Sequence, residues 1–325
     1  MDAFLSMLSS VAIFVALAVP GYLLVKTKTL KVEQSLPLSK LLMWVGMPFL
    51  ILSSTLGLDL KNSTLLTGMG ISLGITIGYV AVWFFITALL TKKQGEEKKR
   101  GMVRFCMMFS NNGFLGLPLA EAVFGGTSEP AYSYLVISNV LTNLLMYTLG
   151  VYFVSGDKKN MSLKKVVLNP VLLSFVIGLI LNLLNRVDVL PQKVVDDYIL
   201  KYSDHLKGIV TPVSMVILGM KMGGVKMSSL FTNLKTYTIS ACKLVLVPIG
   251  AVAIAYFLGE WSGVGVALAF AMLIAFGTPT AGLASTFADA YDGDTEGAAV
   301  YTLGTTLLSV ATMSVLYWLL SLIVA

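Results

Sequence analysis

Hydrophobic residues in this chain fall in long continuous runs. They do not alternate as in a half-buried strand, nor recur on one side as in a surface helix. Ten runs can be marked, at roughly 4–25, 36–57, 65–91, 102–124, 131–154, 166–185, 206–222, 235–258, 262–288 and 297–324. About 20 apolar residues in a helix rising 1.5 Å each cross the hydrocarbon core of a bilayer. A transmembrane barrel would instead show short alternating segments, so the pattern predicts an all-α membrane protein with ten spanning helices. One stretch outside the runs, residues 190–206, is amphipathic. Val194, Val195, Tyr198, Ile199, Tyr202 and Leu206 share one side, opposite Lys193, Asp196, Asp197, Lys201 and Asp204. It predicts a helix on the outer surface leading into the seventh span, with His205 a solvated loop residue at its end.

Two runs are interrupted. The fourth contains FSNNGFLGLP at 109–118 and the ninth AFGTPTAGLAS at 275–285. In lipid each unpaired backbone N–H or C=O costs several kcal/mol. Broken backbone therefore survives there only where protein or a water-filled cavity covers it. Isolated prolines such as Pro20, Pro48 and Pro248 are read as simple kinks.

Composition agrees: 56% of residues are hydrophobic and 12% charged, against roughly 25% charged in soluble domains. Mean hydropathy is +0.84. Cys106 and Cys242 both fall in apolar runs and read as small buried hydrophobes, not as a disulfide. His205 is the only histidine, so no metal site and no cofactor are expected. The N-terminus lacks a basic segment and a clear small-residue cleavage site, so residues 4–25 are read as a retained first span.

The net charge of +6 is not a nucleic-acid signature, because it sits in short loops. Seventeen Lys and Arg follow odd-numbered spans, among them Lys26, Lys93, Lys98, Lys99, Arg100, Arg104, Lys165, Lys221 and Lys226; five follow even-numbered spans. The positive-inside rule puts the odd loops in the cytoplasm and both termini outside. A multi-pass plasma-membrane protein is expected.

A shift of 167 residues aligns GTSEPAYSYLV at 126–136 with GDTEGAAVYTL at 293–303, and Phe109 with Phe276. The same shift sets Asn111, Asn112 and Gly113 on Thr278, Pro279 and Thr280. The chain thus divides into repeats at 1–155 and 156–325. With five spans per repeat, the second copy enters from the opposite side, an inverted repeat in which spans 4 and 9 cross near mid-membrane.

Each break exposes N–H groups at a half-helix start and C=O groups at a half-helix end. The former suit carboxylates or other anions. The candidate substrate-binding residues are Asn111, Asn112, Gly113 and Pro118 in span 4, and Thr278, Pro279 and Thr280 in span 9. The Asn amides offer donors and acceptors, the threonines hydroxyls, and the prolines remove helix-continuing donors. Lys243, inside span 8, either snorkels to the interface, attracts an anion, or pairs with an acid such as Asp289. Glu121 and Asp289, in the second halves of the broken spans, are candidate proton sites or face water near span ends. Asn139 and Asn143 read as interhelical glue.

The residues carry a family resemblance. FSNNGFLGLPLAEAVFG, PTAGLASTFADAY at 279–291, MPFLIL in span 2 and TPVSMVILGMKMG in span 7 resemble the auxin efflux carrier family, which includes plant PIN carriers and bacterial permeases. The resemblance implies crossover residues at Asn111, Pro118 and Pro279, and a fold similar to sodium/proton antiporters and bile-acid sodium symporters. It further implies a dimerising scaffold of spans 1, 2, 6 and 7, a mobile core of spans 3–5 and 8–10, and elevator-like transport of a small organic anion. The long cytoplasmic loop of many plant members is absent, as are the aspartates that antiporters place beside the crossover, which weighs against sodium coupling. Two alternatives stand beside this reading: a sodium-coupled symporter, and a membrane sensor that binds without transporting. An intramembrane enzyme is disfavoured because no HExxH or GxSxG occurs.

Overall fold

The computed structural model describes residues 2–92, 95–127, 129–161, 164, 167–225 and 233–324. Lys93, Lys165 and Lys226 of the basic loops, and Ser128 of the repeat match, lie outside the described residues. All regular structure within them is helical apart from one isolated β-bridge.

Seven helices are long and apolar enough to cross a membrane. They are α1 (Met7–Lys26), α2 (Val32–Leu56), α3 (Ser63–Thr91), α6 (Pro130–Ser155), α8 (Gln192–Gly224), α9 (Leu234–Glu260) and α12 (Thr295–Ile323). Two shorter apolar helices are α7 (Pro170–Arg186) and α10 (Gly265–Gly277). The fourth apolar run is split into α4 (Glu97–Met108) and α5 (Leu117–Phe124), and the ninth into α10 and α11 (Leu283–Ala290). The helix ends fall within a few residues of the expected spans, except that α8 begins at Gln192, well before the seventh span expected from 206. From Gln192 on the amphipathic stretch is helical and forms the first part of α8, with Val195 buried and Tyr198 and Tyr202 exposed. His205 lies on that helix, exposed, and not in a loop.

The prolines act through more than a kink. Pro48, Pro118 and Pro248 each come just after a wide π-type turn, at Leu42–Gly46, Asn112–Gly116 and Cys242–Leu246. Proline lacks an N–H and collides with the carbonyl four residues back. Widening the preceding turn relieves that collision. Before Pro20 the helix instead breaks in a turn at residues 17–18.

Polarity is arranged for lipid. Phe85, Leu89, Phe257, Trp261 and Ile323 are exposed on the periphery, while Ser72, Thr76, Ser138, Asn139 and Thr305 are buried. The hydroxyls of Ser72, Thr76 and Thr305 reach carbonyls one turn back or a neighbouring helix. Ser72 Oγ donates to the Tyr134 carbonyl at 2.7 Å and Thr76 Oγ1 to Ser138 Oγ at 2.9 Å, joining α3 to α6. Asn182 Nδ2 of α7 donates to the Thr55, Leu56 and Leu58 carbonyls at 3.1, 3.0 and 2.9 Å. It thereby caps the free carbonyl end of α2.

Helices α1 and α8 touch backbone to backbone. A Cβ on Gly219 would lie 1.8 Å from the Ala18 carbonyl oxygen, and one on Gly21 would lie 2.0 Å from that of Val216. Small residues permit such contact where lipid supplies no hydrophobic drive between helices. Gly219→Ala therefore forces the pair apart and is expected to destabilise by about 1–3 kcal/mol. Gly70→Ala in α3, where a Cβ meets nothing within 4 Å, is expected to be neutral or slightly stabilising. Thermal melts of the two purified variants check the contrast; equal melting temperatures would contradict it.

Candidate functional site

The two broken spans meet at their breaks. After α4, Phe109 turns extended and Ser110 forms an antiparallel bridge with Thr280. Asn111 N–H donates to the Pro279 carbonyl at 2.7 Å, and Ala281 N–H to the Phe109 carbonyl at 2.9 Å. The Asn111 carbonyl accepts from Leu115 and Gly116 at 3.1 and 3.0 Å, closing the wide turn ahead of Pro118. Backbone that would be orphaned in lipid is thus paired across the crossing.

Side chains tie the crossing further. Thr280 Oγ1 donates to the Cys106 carbonyl at 2.9 Å, and Thr280 N–H to Thr305 Oγ1 at 3.2 Å. Lys243 is 0% exposed, and its Nζ donates to Ser110 Oγ and to the Phe276 carbonyl, both at 2.6 Å. It neither snorkels nor pairs with Asp289: a stem rooted mid-span beside the bridge finds its acceptors there, and Asp289 is exposed at the end of α11.

Two small clefts flank the crossing. One is lined by Met43, Met47, Asn143, Tyr147 and Val171, the other by Ser39, Leu42, Ser214, Lys221 and Thr302. Asn111, Phe114, Gly282 and Leu283 line both. Each holds about 30 Å³, room for a water and no more. The Asn111 side chain makes no hydrogen bond among the described residues and is half-buried. Asn112 and Gly113 line the first cleft. Asn112 Oδ1 accepts from Asn139 Nδ2 at 2.9 Å, while Asn112 Nδ2, Asn139 Oδ1 and Thr278 Oγ1 are buried without a partner. Pro118, Thr278, Pro279, Thr280 and Lys243 support the crossing but line neither cleft, and neither do Glu121 and Asp289. Among the described residues no three His, Cys, Asp or Glu side chains converge as metal ligands.

The membrane transport protein family matches residues 6–317. The chain belongs to this family, that of the auxin efflux carriers. It is a multi-pass membrane transporter, from a family that is generally not enzymatic. It is similar to an uncharacterized transporter of Methanothermobacter thermautotrophicus, 24% identical over 259 residues, covering 78% of this chain and 80% of the relative. It is also similar to an uncharacterized transporter of Methanocaldococcus jannaschii, 24% identical over 216 residues, covering 65% and 68%.

Lys221 is one of the transporter's cleft residues that sequence reasoning missed, and the charged one among them. Its place beside a basic loop groups it with the orienting charges. In the structure it belongs to α8, and its Nζ reaches back to the Gly282 carbonyl at 3.1 Å. The signal that could have found it is its position inside the expected span 206–222, one turn before the helix ends. Outside the spans, Lys98 pairs with Asp292 at 2.5 Å, joining the start of α4 to the turn after α11. The lysine's hydrogen bond and charge hold the Asp292 carboxyl below its ordinary range.

Proposed function

We propose that this chain is a secondary carrier that moves a small organic anion by elevator-type alternating access, with the anion bound at the span 4/span 9 crossing. The observation carrying this reading is Asn111: its amide is free, at the wall common to both clefts, while the backbone around it is tied off. A carboxylate can accept from that amide, beside the Lys243 amino group that donates into the crossing.

The helix order supports ten spans in two inverted repeats, 1–155 and 156–325. Moving Ser63–Thr91, Glu97–Met108 and Pro130–Ser155 by 167 residues brings them onto Leu234–Glu260, Gly265–Gly277 and Thr295–Ile323 to within a few residues. Packing of α1 on α8 and of α2 on α7 supports a scaffold of spans 1, 2, 6 and 7. Packing of α9 on α10, α3 on α6 and α10 on α6 supports a separate core, although α1 also touches α12 across the division. The exposed apolar faces of the scaffold suit a homodimer in the plasma membrane, with both termini outside.

Both clefts lie in the span halves nearest the basic loops: Ser39 and Met43 follow one such loop, Tyr147 precedes another, and Lys221 a third. By the positive-inside rule they face the cytoplasm. On the other side Ser54 Oγ of α2 meets Tyr132 OH of α6 at 3.2 Å, linking scaffold to core. A site this contracted admits an anion only if core and scaffold move apart.

The test is a thermal-shift screen of purified protein against organic acids at two pH values, with and without sodium, followed by counterflow in proteoliposomes. Stabilisation by an organic anion together with flux is expected. Binding without flux would make it a sensor, sodium-dependent counterflow a symporter, and no response to any organic acid would sink the reading.

A further inference from the structure

We infer that Lys221 is a specificity-determining residue that binds a second negative group on the transported anion, at the far end from the group held by Asn111. The inference rests on the organic-anion reading above and goes beyond it to a residue and a charge requirement.

Lys221 and Asn111 line the same cleft, together with Ser214, Gly282, Leu283 and Thr302. Its ammonium has three donors, and the one protein acceptor it meets among the described residues is the neutral Gly282 carbonyl at 3.1 Å. None of the ion pairs among the described residues involves it. Asp289, at the end of α11, is exposed to solvent and forms no ion pair with it. Thr302 Oγ1, on the same cleft, is buried without a partner. A cation, a free amide and an unsatisfied hydroxyl around one space complement an anion with two negative ends.

The geometry also differs from that of Lys243. The Lys243 ammonium is fully enclosed and committed to the crossing, so it acts on any anion there through its field alone. Lys221 sits on α8, outside the broken spans, and its bond to Gly282 crosses from one packed unit to the other. That bond must break if the core slides. An anion can take the carbonyl's place on the ammonium, so the contact with Lys221 forms only on the side of the cycle where this cleft is open. A charge-assisted hydrogen bond of this kind is stronger than the neutral one it replaces.

The experiment uses the full-length purified protein and two probes, malonate and its monomethyl ester, which differ by one negative charge. Wild type is expected to bind malonate about tenfold or more tighter than the ester. Lys221→Gln keeps a donor for Gly282 without the charge, and its preference is expected to shrink to about twofold or less by the same reasoning, with an unchanged melting temperature in the absence of probe. Lys221→Arg is expected to restore the preference, which a merely structural role would not require. A Gln variant that keeps the full preference, or a wild type that binds both probes alike, overturns the role of Lys221. A wild type that binds neither probe nor any other organic acid overturns the anion reading itself.

Discussion

Asn111→Ala is expected to abolish uptake while leaving a folded, membrane-inserted protein. What the fold takes from this residue is its backbone. The N–H bridges to the Pro279 carbonyl, and the carbonyl closes the turn through Leu115 and Gly116. Alanine supplies both groups unchanged. What alanine removes is the free amide at the wall shared by the two clefts. Hydrogen bonds to a charged group contribute about 1.5–3 kcal/mol each. Losing them lowers anion affinity by roughly tenfold to a hundredfold, enough to bring flux to background at modest substrate concentrations. Asn112→Ala makes a useful contrast. Its side chain pairs with Asn139 in a buried position, so that variant is expected to lose stability as well. Proteoliposome uptake with melting temperatures for both variants reads the difference. Uptake at the wild-type rate by Asn111→Ala would remove the residue from the site.

The broken spans were legible because lipid makes backbone polarity expensive. Two Asn, two Gly and a Pro in an apolar run leave few alternatives to a covered break, and the 167-residue shift supplied the partner. Most span ends, though not the start of α8, were legible for the same reason: charge and turn residues are costly in contact with lipid. Contacts between distant segments were not. Sequence position alone gives no hint that Lys243 Nζ would find Ser110, 133 residues away, and the Phe276 carbonyl. Snorkelling is the default for a lysine only when no acceptor lies within reach of its stem. Asn182, which caps α2 from α7, gives no signal in the sequence because nothing in its own helix needs it. The turns before Pro48 and Pro248 read as kinks, although proline's clash with the carbonyl four residues back already calls for a local widening. The crossing of the two broken spans was therefore readable, Asn111 included. The cleft walls contributed by α2, α6 and α8 were not, since they depend on how the helices pack and not on any one helix's pattern.

Lys243→Met is expected to fold at least as well as wild type and yet to lose transport. A buried ammonium carries a desolvation cost of several kcal/mol, and replacing buried charge with apolar volume is often neutral or stabilising. Methionine fills most of the lysine stem's space. Ser110 Oγ keeps the Phe276 carbonyl as an acceptor at 3.4 Å, and the backbone bonds across the crossing do not involve Lys243 at all. The melting temperature is therefore expected to hold or rise. The anion site fares differently, because the ammonium proposed to attract the anion is gone. At an effective dielectric of about 20, a unit charge roughly 7 Å from a carboxylate contributes about 2 kcal/mol, so affinity is expected to fall by tenfold or more. The two readouts pull apart in a way that a purely structural lysine cannot reproduce. If the Met variant transports at the wild-type rate, the ammonium serves the fold alone. If it fails to fold, the ties to Ser110 and Phe276 hold the crossing together more strongly than the backbone bonds, and Lys243→Arg, which keeps charge and donors, should then recover part of the stability.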